Sequence, residues 1–233
     1  MSPSAQLPLR LDHRPEYGLD SFIPAPSNRD ALALIRRWPD WPAPVVVLCG
    51  PAGSGKTHLS CGLCMISQVQ IHEASDLSRI SAHEMIAPGA AIVEGADEPG
   101  LPEAELFHLI NATREAGATL LLTARTLPAD WPVTLPDLRS RLRMAAPVVL
   151  APPEDDLIRQ VLVKLLADRQ ILVDRAVIDF LLPRMERSLS AAARIVEVLD
   201  REALSAGKPI TRPMAAAVLR RLGNDFDAFA RDT

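Results

Sequence analysis

Residues 45–57 read VVVLCGPAGSGKT, and this stretch decides how the rest of the chain is read. Val45–Cys49 is a continuous apolar run rich in β-branched residues, which suits a strand buried on both faces of a parallel sheet. Gly50–Thr57 then matches G-x-x-x-x-G-K-[ST]. In such a loop the glycines let backbone N–H groups curl around phosphates, and the next helix aims its positive end at the same point. Gly50, Pro51, Ala52, Gly53, Ser54, Gly55, Lys56 and Thr57 are therefore the expected nucleotide-binding residues for ADP or ATP. Lys56 would reach the β- and γ-phosphates and Thr57 would ligate Mg²⁺. A ligand-free glycine turn is the alternative, and the strand before and helix after the loop speak against it.

Working outward, strand and helix signals alternate. Ser27-Asn-Arg-Asp followed by Ala31, Leu32, Leu34 and Ile35 predicts a capped helix. After the loop the pattern predicts a helix over 56–66, a short strand at 69–71, a helix over 77–86 and a strand at 90–93. A helix over 103–115, a strand at 119–123, a short amphipathic helix at 135–143 and a strand at 147–151 come next. Five β/α repeats indicate an α/β fold built on a doubly wound, five-stranded parallel sheet. Beyond Pro152-Pro153 every apolar pattern is helical, over 157–166, 174–182, 190–204 and 211–222. The expected organisation is an extended arm at 1–21, a nucleotide-binding α/β domain at 22–151 and an all-helical lid at 152–233.

The third strand ends in Glu94, an acid placed to serve the Mg²⁺, but Gly95 stands where a second acid would activate the attacking water. Asp97 and Glu98 could bend back or form a solvated turn. Intrinsic hydrolysis is expected to be weak or absent.

Composition bounds the partners. With 29 Asp+Glu against 25 Lys+Arg the chain carries a formal charge of −4, which disfavours a protein that coats nucleic acid through its phosphates. No apolar run approaches the roughly 18 residues that cross a bilayer, and the N-terminus lacks the pattern of a secretory signal, so a cytoplasmic protein without membrane contact is expected. Three cysteines, Cys49, Cys61 and Cys64, make no disulfide framework and no zinc site, and read as small buried side chains.

Several stretches resemble the AAA+ group, and within it the bacterial initiator DnaA and its shortened Hda-type relatives. YGLDSFIPAPSNRDALALI (17–35) resembles the lead-in segment that helps form the adenine pocket. ELFHLINATREAGATLLLTARTLP (105–128) resembles the stretch running through the sensor-one strand, which places Thr123 near the γ-phosphate. LPDLRSRL (135–142) resembles the box bearing the arginine finger, which falls on Arg141. The resemblance covers about residues 17–222 and departs from the pattern at Glu94-Gly95 and in the lid. There the nucleotide-sensing arginine has no clean counterpart, Ser190 holding its place with Arg187 and Arg194 nearby.

The resemblance implies a regulator of replication initiation, with DnaA and the replicative sliding clamp as partners. The end of the chain after the lid, without a DNA-binding helix-turn-helix domain, favours the Hda type. In that setting Gln6, Leu7, Leu9 and Leu11 fit a Q-L-x-L-x-[LF] clamp-docking peptide, whose alternate side chains share one face. DNA would be met only through the clamp, and a homo-oligomer is compatible with the group. A helicase loader driven by its own ATPase cycle is the alternative function, and a small-metabolite kinase a more distant one.

Overall fold

A computed structural model describes residues 17–229, with side chains through residue 223. The clamp-docking residues Gln6, Leu7, Leu9 and Leu11 lie outside the described residues. The chain divides into two units, of which one spans Tyr17–Pro153 and the other begins at Glu154.

The first unit holds strands β1 (Val45–Cys49), β2 (Ile71–Glu73), β3 (Ala90–Glu94), β4 (Thr119–Ala124) and β5 (Ala146–Val149), ordered β2-β3-β4-β1-β5. Every neighbouring pair is parallel. Helices α1 (Arg29–Arg36), α2 (Lys56–Ser67), α3 (Ala82–Ile86), α4 (Glu103–Glu115) and α5 (Pro136–Leu142) make the connections. The unbroken apolar run of β1 is explained by burial on both sides. Val46 and Leu48 pack with Leu32, Ile35, Leu59 and Leu63 of α1 and α2, while Val45 and Val47 pack with Leu106, Leu109 and Leu138 of α4 and α5. Each such leucine contributes roughly 1.5–3 kcal/mol by leaving water.

Two elements differ from the sequence pattern. β2 starts at Ile71, two residues later than expected, because Gln68 closes α2 in the left-handed conformation and Val69 turns into the core before pairing with β3 begins. The helix expected over 77–86 is split into a 3-10 turn at Ala74–Ser78 and the short α3. Ser81 causes the break: its hydroxyl accepts from the Glu84 backbone while the Glu84 carboxylate accepts from the Ser81 backbone, a reciprocal cap that starts a new helix.

The second unit consists of α6 (Asp155–Asp168), α7 (Arg175–Leu181), α8 (Leu189–Ala206) and α9 (Arg212–Phe229) around Leu162, Leu166, Ile178, Val196, Leu199 and Val218. Asp174 caps α7 and Ser188 caps α8, each accepting a backbone N–H of the first turn. Among the described residues no helix is long and apolar enough to cross a membrane.

Candidate nucleotide site

β1 delivers the chain into the loop at the C-terminal edge of the sheet, where ligands of open α/β folds bind. Gly53 and Gly55 have φ of +69° and +105°, values that L side chains rarely adopt, and Gly55 starts α2. Gly50 is required for a different reason. A β-carbon there would lie 2.6 Å from the Leu150 carbonyl oxygen, so the exit of β5 leaves no room for one.

Lys56 Nζ folds back on its own loop, donating to the carbonyls of Gly50 (2.7 Å) and Pro51 (2.9 Å). Burial pushes its ammonium below the ordinary lysine value, Asp97 and Glu94 work in the opposite sense, and Arg125 adds to the lowering. Thr57 Oγ1 donates to Glu94 Oε2 at 3.3 Å across the gap between α2 and β3. The other carboxylate oxygen, Glu94 Oε1, and the Ser54 hydroxyl are buried without a hydrogen-bond partner among the described residues.

These features fit a nucleotide and its cation. Unpaired buried oxygens are costly unless something supplies partners, and a hydroxyl beside a carboxylate is the hard-oxygen donor set that suits Mg²⁺. Thr57 and Glu94 would hold the metal, which would supply charge neutralisation at the phosphates.

Thr123, on β4, is buried, and its hydroxyl accepts the Gly95 N–H at 3.3 Å while its carbonyl accepts the Ala96 N–H at 2.8 Å. It therefore fixes the turn after β3. Asp97 ties two loops together. One of its oxygens accepts from Arg125 N, Thr126 N and Thr126 Oγ1 at 2.8–3.0 Å, tying the β3 exit to the β4 exit. That role is not readable locally, since donor and acceptor stand 28 residues apart.

The lead-in segment packs on α2. His58 meets the rings of Tyr17 and Phe22 edge-on at 5.5 and 5.1 Å, and Leu19 lies where a methyl on Gly62 would be. Buried Asn28 accepts from Ala25 N and donates to the Ile23 carbonyl, shaping the loop before α1.

Arg141 lies on α5, which Leu138 and Leu142 anchor in the core. The Glu103 carboxylate accepts the N–H groups of Thr134 and Leu135, latching the approach to α5, and these bonds hold its carboxyl below the ordinary range. Arg139 donates to the Val133 carbonyl. The Arg141 side chain makes no hydrogen bond or ion pair among the described residues and is half-buried. In the helical unit Arg187 pairs with Asp155 at 2.9 Å. The three cysteines are free, and burial raises Cys49 to about 11.

Residues 155–219 match the family described as Hda, lid domain. An uncharacterised protein of Haemophilus influenzae is 27% identical over 230 residues, covering 92% of this chain and 98% of its own. Domain III of the Thermotoga maritima replication initiation protein DnaA superposes with a TM-score of 0.75 at 17% identity, over 89% of this chain and 97% of that one. AMPPCP-bound DnaA from Aquifex aeolicus gives 0.66 at 17% identity, over 82% and 67% of the two chains. A Thermotoga maritima RuvB variant gives 0.65 at 16% identity, over 88% and 72%.

The five-stranded parallel sheet, its glycine-rich loop and the helices that follow give this chain the AAA+ fold. The match over residues 155–219 and the DnaA-like fold make the chain similar to Hda-type, DnaA-related proteins.

Proposed function

We propose that this chain is a nucleotide-bound regulator of replication initiation that docks on the sliding clamp and promotes hydrolysis of ATP held by the initiator DnaA. The observation that carries the reading is the pairing of a self-contained P-loop with an unengaged arginine on a braced helix. Lys56 has partners within its own loop, whereas Arg141 is held on α5 with no partner among the described residues.

Phosphoryl transfer builds charge on the γ-phosphate oxygens, and a planar, permanently charged guanidinium supplied by a neighbour stabilises that charge. Arg141 has this chemistry and is free to offer it in trans. Gly50–Thr57 would bind ADP or ATP, with Thr57 and Glu94 toward Mg²⁺ and Thr123 at the edge of the phosphates. Gln6, Leu7, Leu9 and Leu11 would provide the clamp peptide, DNA being reached through the clamp. The same arginine arrangement accommodates self-association.

The test combines ATP-loaded initiator, DNA-loaded clamp and ADP, and measures phosphate release. Wild type stimulates release, and Gln6→Ala with Leu7→Ala loses both clamp retention and stimulation while keeping its melting temperature. Full stimulation by that double variant would remove the clamp from the reading. Brisk, repeated ATP turnover by the protein alone would favour the helicase-loader function.

A further inference from the structure

The turn after β3 brings a carboxylate to the place where the sequence shows only hydrogen. A β-carbon on Gly95, whose φ is +74°, would lie 3.0 Å from Glu98 Cδ and 3.2 Å from each Glu98 carboxylate oxygen. The backbone of this turn is held from both sides. The Glu98 N–H donates to the Gly95 carbonyl at 3.0 Å, Thr123 holds Gly95 and Ala96 from one side, and the three bonds to Asp97 hold the other. Glu98 thus stands at the end of a pinned turn with its side chain returned over position 95.

Two more carboxylates stand at the neighbouring strand ends. Glu94, one residue before Gly95, is bonded to Thr57 and keeps one buried oxygen without a partner among the described residues. Glu73 sits opposite Glu94 in the β2–β3 register.

We propose that Glu98 supplies the carboxylate that Gly95 lacks and activates water against ATP bound at this chain's own P-loop. The proposal rests on the nucleotide-site reading above and extends it to the fate of ATP bound there. The water oxygen bonds to the γ-phosphorus as the bond from that phosphorus to the β,γ-bridging oxygen breaks. The bridging electron pair leaves with ADP, and the water proton passes to the Glu98 carboxylate and on to solvent. Lys56, on leaving the Gly50 and Pro51 carbonyls, would face the oxygens that gain charge. A carboxylate delivered by an exposed turn excludes water poorly, so the reaction is a slow single turnover.

The experiment loads purified full-length protein with ATP and Mg²⁺, removes free nucleotide, and follows the bound ATP:ADP ratio by chromatography after quenching. ATP- and ADP-induced thermal shifts are measured on the same samples. Wild type converts its bound ATP to ADP. Glu98→Gln converts it about 10²-fold more slowly or worse, the range expected for loss of a general base, with both thermal shifts unchanged, and it purifies with a larger share of ATP. Glu98→Asp recovers part of the rate. Conversion by Glu98→Gln at the wild-type rate with equal binding overturns the proposal alone, as does wild type that keeps its ATP. An ADP thermal shift undiminished in Lys56→Ala overturns the nucleotide site and this proposal with it.

Discussion

The P-loop and α5 each present a cation suited to phosphate, and the two are treated oppositely by the fold. Lys56 donates to two carbonyls of its own loop and is pushed below its ordinary pKa by burial, with acidic neighbours countering. Arg141 sits on a helix anchored in the core and touches no polar partner among the described residues. A cation with internal partners belongs to a site that can be built and tested within one chain. Arg141 is braced but left free, whereas Arg139, two residues earlier, is tied to the Val133 carbonyl.

Four substitutions would break or sharpen that contrast. The largest effect is expected of Arg141→Ala, which should lower stimulation of initiator-bound ATP hydrolysis by roughly 10³-fold or more while ADP and clamp binding persist. Equal stimulation by the variant would end the assignment in trans. Leu138→Ala comes next, since emptying the fully buried anchor of α5 should cost about 2–5 kcal/mol in denaturant unfolding and loosen the arginine with it. Lys56→Ala should leave the unliganded melting temperature nearly unchanged but remove most of the ADP stabilisation, about 2.7 kcal/mol at a hundredfold excess over Kd.

The smallest effect concerns Glu103. Hydrogen bonds from Thr134 and Leu135 lower its folded pKa, so the stability it contributes is present above the unfolded value of about 4.3 and is lost as pH falls through the lowered folded value. The melting-temperature gap between wild type and Glu103→Gln should therefore be widest near neutrality and close in acid. A gap that widens as the pH falls would contradict the latch.

Much of the fold is legible because it is written in contiguous residues. VVVLC dictates a strand buried on both faces, and the glycine loop ending in Lys56-Thr57 dictates the turn from that strand into α2. The division of the 77–86 segment is local as well, since Ser81-x-x-Glu84 is a helix start whose reciprocal cap outweighs the apolar spacing that runs across it. The β3 exit is not legible in this way. Gly95 signals a missing carboxylate along the chain, and only its positive φ, with the tie from Asp97 to Arg125 and Thr126, shows Glu98 lying over it. The reason for Gly50 is equally remote, since it lies in the Leu150 carbonyl just past β5.

The packing of Leu19 against Gly62, and of Tyr17 against His58, sets where a truncation can be made cleanly. Cutting the chain at residue 21 to remove the N-terminal arm would also strip the cover from the helix that starts at Lys56. A loss of clamp retention in such a fragment would then be confounded with damage at the phosphate loop. A cut ahead of Tyr17 retains the described side chains that meet α2.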